Sequence, residues 1–200
     1  MARSIIVVDR LSDWRWSQEG LNILTVDAFI AEKRTPHKRP LRVINLCRRY
    51  KYLSAGYYCS LLSESRGDLP MPTVVDIIDL DKKGSYAYAV PDLERILQTT
   101  MKRLASPPSA GFVLQVFFGR PDDVRFRRLA AEVFDTFRYP ILEIQVVRDK
   151  RWRIQAIRPL GINKIKDDLA TAFEGALRTY VRVPASQRKS RPSALYELAV

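Results

Sequence analysis

Glycine is scarce in this 200-residue chain, and the 8 present form neither a G-x-x-x-x-G-K-[ST] nor a G-x-G-x-x-G run, so the standard loops that cradle phosphate on backbone N–H groups are missing. Two cysteines, Cys47 and Cys59, are too few for a disulfide framework. With a single histidine, His37, the chain also lacks the donors of an all-protein zinc site. Structural zinc, CxxCH haem attachment and metalloprotease chemistry are therefore excluded. No apolar run approaches the about 20 residues of a membrane-spanning helix. The opening MARSIIVVDR reaches a charge too soon for a signal peptide, so a cytoplasmic protein with no membrane partner is the expectation.

Hydrophobic residues are not lacking. At 46% hydrophobic and 10% aromatic the chain has ample material for a core, which argues against disorder. Its charge is one-sided: 34 basic against 22 acidic side chains leave +12. Between Lys33 and Lys51 stand eight basic residues, Lys33, Arg34, Lys38, Arg39, Arg42, Arg48, Arg49 and Lys51, without one Asp or Glu, so this segment carries two thirds of the net charge. A second basic stretch holds Arg182, Arg188, Lys189 and Arg191. Such patches attract polyanions, whether nucleic acid, ribosome, phosphate-bearing ligands or acidic peptides; the alternative is a solvated face that keeps the protein soluble.

Hydrophobic patterning predicts an α/β (α+β) fold, a mixed sheet with flanking helices. Ile5–Val8 is an all-apolar strand ending at Asp9, Leu21–Ile30 a strand or a strand running into a short helix, and Leu41–Cys47 a strand feeding a helix over Leu53–Arg66 that Ser54 caps and Gly67 closes. Pro70 and Pro72 read as a loop, and Thr73 with Asp76 as a capping pair opening a short helix to Leu80. Leu93, Ile96, Leu97, Met101 and Leu104 mark an amphipathic helix begun near Pro91. Beyond the SPPSA loop at Ser106–Ala110, residues 111 to 183 read β-α-β-β-α: a strand at Phe112–Phe118, a helix over Phe126–Phe137, a hairpin of Ile141–Val147 with Trp152–Arg158, and a helix over Ile165–Val181. Residues 1 to 183 thus form one domain, or two lobes spanning 1–106 and 111–183. Residues 184 to 200 read as a basic linker and, with Leu195, Tyr196, Leu198, Ala199 and Val200, the start of a following domain.

Asp9, Asn45, Arg48 and Arg120 all stand at or near predicted strand ends, and such ends can converge on one ligand crevice; polar residues are also common there for no functional reason. Tyr50 and Tyr52, set among Arg48, Arg49 and Lys51, mix aromatic with basic groups in a way that would stack on and neutralise a nucleotide or RNA, unless these rings are core. Cys47 beside Arg48 and Arg49 would have a lowered pKa if it were a nucleophile; plain packing is the competing reading. Trp14 and Trp16 cover an apolar patch, and His37 has no assigned role.

Three groups of segments carry a family resemblance: VINLCRRYKYLSAGYYCSLLSESRG at Val43–Gly67 with SIIVVDR, Asp13 and Trp14 before it; FVLQVFFGRPDD at Phe112–Asp123; and WRIQAIRPLGI at Trp152–Ile162. Together they resemble the amino-terminal domain that precedes the ATP-grasp module of RimK-like ligases. The resemblance implies a bacterial α+β accessory domain whose following module joins an amino acid, typically glutamate, to a carboxyl group through an acyl phosphate. It also implies that ATP and magnesium belong to that module, with no cofactor in this chain, and that the chain is a shortened or stand-alone version. The expected partners are the ATP-grasp module and an acidic peptide, protein or small-molecule acceptor, with RNA or ribosome as the alternative.

Overall fold

In the computed structural model, which describes residues 4–32, 40–81 and 87–183, the strands separate into two sheets rather than one. The first is parallel, in the order β2-β1-β3-β4, from β1 (Ser4–Val8), β2 (Ile23–Thr25), β3 (Arg42–Asn45) and β4 (Leu69–Met71). The second is antiparallel, in the order β6-β5-β7-β8, from β5 (Phe112–Phe117), β6 (Arg120–Pro121), β7 (Ile141–Arg148) and β8 (Trp152–Pro159). Six helices flank them: α1 (Val26–Ala31), α2 (Ala55–Ser65), α3 (Val74–Asp81), α4 (Val90–Arg103), α5 (Arg127–Phe137) and α6 (Ala170–Arg182). Among the described residues no helix is long and apolar enough to cross a membrane.

Local signals in the sequence account for most boundaries. Thr25 ends β2 and caps α1, its hydroxyl accepting from the Ala28 N–H at 3.2 Å, so the strand does run into a helix. Ser54 caps α2 through the Tyr57 N–H, while Leu53, expected inside the helix, stands before it in the left-handed region at φ 62°. Thr73 and Asp76 form a reciprocal capping box: the Thr73 N–H donates to the Asp76 carboxylate at 3.0 Å and the Asp76 N–H to the Thr73 hydroxyl at 3.1 Å. Two strands escape the pattern. β4 contains Pro70 and stands at the sheet edge, where one face of the backbone needs no partner and proline is tolerated. β6 is two residues long and turns back from β5 through Phe118 and Gly119, both at positive φ, the geometry of a tight hairpin turn. The last helix starts at Ala170 and not Ile165, which is buried in the loop ahead of it.

Three apolar clusters hold the layers together. On one face of the parallel sheet Ile5, Val7 and Val43 meet Val26 and Phe29 of α1, with Cys47 and Cys59 beside them. On the other, Ile6, Val8, Ile44 and Leu46 meet Phe173 and Leu177 of α6, together with Phe117, Phe118 and Ile141 from the second half of the chain. Trp14 belongs to this cluster, and Trp16 lies tilted on Phe173 at 4.6 Å and donates its indole N–H to the Ala170 carbonyl, so the two tryptophans do cover an apolar patch. The third cluster joins α4 and α5 to the antiparallel sheet and takes in Tyr50, Tyr57, Ile77 and Leu80 from the first half. Two of the three cores therefore cross the Ser106–Ala110 join.

Candidate anion-binding site

In the parallel sheet β1 pairs with β2 on one side and β3 on the other, so the strand order reverses at β1. A crevice outside the carboxyl ends of strands is expected at such a reversal. Here the chain fills it with its own groups. Asp9 accepts the backbone N–H of Arg48, and the Arg48 guanidinium forks onto Asp13, through Nε at 2.9 Å and through Nη2. That contact holds the Arg48 charge and raises its pKa further. Gly161 presses on the Arg48 main chain from the loop after β8, with space for no side chain: a Cβ there would lie 2.6 Å from the Arg48 carbonyl oxygen and 2.8 Å from its Cα. Because both atoms are backbone, Gly161→Ala is expected to destabilise the fold by about 2–3 kcal/mol and to lower the melting temperature by about 5–10 °C. Thermal unfolding followed by circular dichroism measures this; an unchanged midpoint would mean the loop does not seat against Arg48.

Immediately beyond this filled crevice the chain opens a cavity of about 510 Å³ between the β3–α2 connection, α3 and the end of β8. Arg48, Arg49, Tyr50 and Lys51 form one wall, Ala156 to Pro159 another, and Ile77, Leu80, Asp81 and Tyr139 the rest. Four cations thus line it against the single carboxylate of Asp81. Arg48 is held by Asp13, but Arg49 and Lys51 are exposed and carry no ion pair among the described residues. Arg158 stands across from Glu143 in the β7–β8 ladder, and Glu143 accepts from Gln145 instead. Tyr50 and Tyr139 meet edge to face at 5.3 Å at the base of the cavity. Burial drives both phenols well above their ordinary pKa, so they stay neutral; Tyr50 donates to the Asn45 carbonyl at 2.8 Å. The site is therefore a cationic rim over an aromatic floor, suited to an anion with an apolar portion.

The residues expected at strand ends do not all meet. Asp9 and Arg48 touch, as described. Asn45 is fully buried: its amide donates to the Gly56 carbonyl at 2.7 Å and the Ser60 hydroxyl at 3.0 Å, and its oxygen accepts from the Cys47 N–H, so it shapes the turn into α2. Arg120 sits on the β5–β6 hairpin and lines separate cavities against α6, because its strand belongs to the other sheet. Within the basic segment, Arg42 is turned inward and 5% exposed; its guanidinium donates to the Val181 and Val183 carbonyls and the Ser4 hydroxyl, tying down the end of α6, and is not offered to a polyanion. Tyr50 is buried and offers no ring face to a base, whereas Tyr52 is 67% exposed and meets Tyr57 edge to face at 5.1 Å. Lys33, Arg34, Lys38 and Arg39 lie outside the described residues, as do His37 and residues 184 to 200. Sequence reasoning misses Arg158, Tyr139 and Asp81. A charge ending an apolar strand is a signal for Arg158, but nothing in the sequence brings Tyr139 or Asp81 beside Arg49.

The nucleophilic reading of Cys47 does not survive its surroundings. Both thiols are fully buried, and the hydrogen bond with Cys59, followed by burial, pushes the Cys47 thiol far above its ordinary range, away from the thiolate that chemistry requires. Neither cysteine of the folded protein should react with a disulfide reagent at pH 8 on the timescale of a free thiol, and both should react in denaturant; rapid, selective modification of Cys47 in the native state would reverse that assignment. Among the described residues no group of three His, Cys, Asp or Glu could hold a metal ion.

A two-sheet α/β domain with a basic cavity beside the end of its third parallel strand is a binding architecture, with no nucleophile and base in contact among the described residues. The family model of the RimK-like ATP-grasp N-terminal domain matches residues 26–176, most of the chain, and the protein belongs to that family. No curated protein matches the sequence.

Proposed function

We propose that this is the accessory, substrate-docking domain of an ATP-dependent RimK-like carboxylate–amine ligase, and that the cavity beside β3 receives its acidic acceptor. The observation that carries the reading is the imbalance inside the cavity, where Arg48, Arg49, Lys51 and Arg158 face only Asp81. A carboxylate entering it would find charge-assisted donors already fixed on one side, since Asp13 orients Arg48, and mobile ones on the other. The family name supports association with an ATP-grasp module. In this proposal that module binds ATP and magnesium and forms the bond, while this chain presents the acceptor; no chemical step is assigned to its own residues.

A second reading, binding of single-stranded RNA, is favoured by one observation: Tyr52 is largely exposed next to Lys51, a ring available for base stacking. Salt separates the two. RNA affinity should fall steeply between 50 and 200 mM salt, with a slope near 0.7 per phosphate contacted, about 10²-fold or more for four to five phosphates. A small polycarboxylate in the cavity should weaken by less than about tenfold over the same range. Titrations of both ligands at several salt concentrations decide: tight, salt-steep RNA binding with no polycarboxylate binding would overturn the docking role.

A further inference from the structure

β8 is the outer strand of the antiparallel sheet, and the two halves of its free edge are treated differently. Along the first half lies α4. The Gln98 side-chain amide donates to the Trp152 carbonyl, and the Glu94 carboxylate accepts the Ile154 N–H at 3.0 Å. Two side chains one helical turn apart thus satisfy the edge as a neighbouring strand would. At Gln155 the ladder slips: Val146 pairs with Ile154 but Gln145 with Ala156, leaving Gln155 as an extra residue. Past this bulge the parity of the strand reverses. The Leu160 N–H donates to the Ile141 carbonyl, so residues 156, 158 and 160 turn their main-chain groups toward β7. Ile157 and Pro159 therefore turn theirs outward, on the stretch of β8 that walls the basic cavity, beyond the reach of Glu94 and Gln98.

We propose that this uncovered stretch of β8 takes an extended acidic peptide as an added strand, whose main chain pairs with the N–H and C=O of Ile157 while its carboxylates meet Arg158, Arg49 and Lys51. The proposal rests on the acidic-acceptor reading above and deepens it by stating how the acceptor is held. Ala156 to Pro159 extend over about 13 Å, the span of three to four peptide residues. Pro159 has no N–H, which ends the ladder there and keeps the engagement short. Charge selects the occupant, since the cavity holds four cations and one carboxylate. A strand edge selects it again: it presents donors and acceptors in alternation, which a peptide answers and a phosphodiester chain, carrying acceptors alone, does not.

The test uses the full chain and acetyl-tetraglutamate amide, compared with the same peptide N-methylated at its two central residues, which keeps the charge and removes two main-chain donors. The parent peptide should bind and move the Ile157 amide proton downfield in the ¹⁵N-correlated spectrum. The methylated peptide should bind at least about fivefold more weakly, the equivalent of one lost hydrogen bond. Equal binding of the two peptides, both abolished by Arg49→Glu and with the Ile157 amide unmoved, would overturn strand addition while leaving the basic-cavity reading in place. No binding of either peptide at millimolar concentration would overturn both, as would capture of oligouridylate that tetraglutamate fails to displace.

Discussion

Phe173→Ala is expected to destabilise the protein by about 3–5 kcal/mol, the upper range for truncating a single core side chain. Phe173 has no exposed surface, and its ring lies against Trp16 at 4.6 Å, Phe117 at 5.7 Å and Phe118 at 6.0 Å. Those three neighbours come from the β1–β2 connection, from β5 and from the β5–β6 hairpin, so the ring locks α6 to both sheets at once. Removing it opens a cavity whose walls belong to separate layers and cannot collapse together. Domains of this size have about 5–15 kcal/mol in all, so the variant should remain folded at low temperature and melt about 10 °C or more earlier. Urea unfolding checks this by a lower midpoint at an unchanged slope. A loss under about 1 kcal/mol would mean that α6 is not packed against the parallel sheet.

The pair Arg49→Glu with Lys51→Glu should weaken binding of a polycarboxylate about a hundredfold, near tenfold for each reversed cation. Both side chains are exposed and free of ion pairs among the described residues, so the fold should be indifferent and the melting temperature nearly unchanged. Arg120→Glu supplies the control, because Arg120 is equally exposed but lines different cavities against α6, and it should leave affinity where it was. Calorimetric titration of the three proteins reads the difference. If all three bind alike, general surface charge and not the cavity attracts the ligand.

Part of this site was legible in the residues themselves. Arg48, Arg49 and Lys51 line the cavity because they follow β3 directly, and a run of cations just past a strand end must sit on the rim of the sheet. Arg42 was misleading for a physical reason: a guanidinium inside a strand has a long enough stem to reach back and satisfy the carbonyls of Val181 and Val183, so charge count did not equal available charge. Asn45 misled in the same way, since a small amide at a strand end is equally suited to bonding its own turn.

The amino-acid order by itself determined the elements whose causes are local: the Thr25, Ser54 and Thr73 caps, the stripes that became α4 and α5, and the β7–β8 hairpin. It could not determine how strands would be shared between sheets, nor recognise a proline-bearing edge strand or a two-residue one, because pairing is chosen by surfaces far apart along the chain. Only the tertiary structure brought Arg158 and Tyr139 beside Arg49 and buried Arg42. Where a charge finishes depends on what the rest of the molecule leaves uncovered, and hydrophobic packing over long sequence separations settles that.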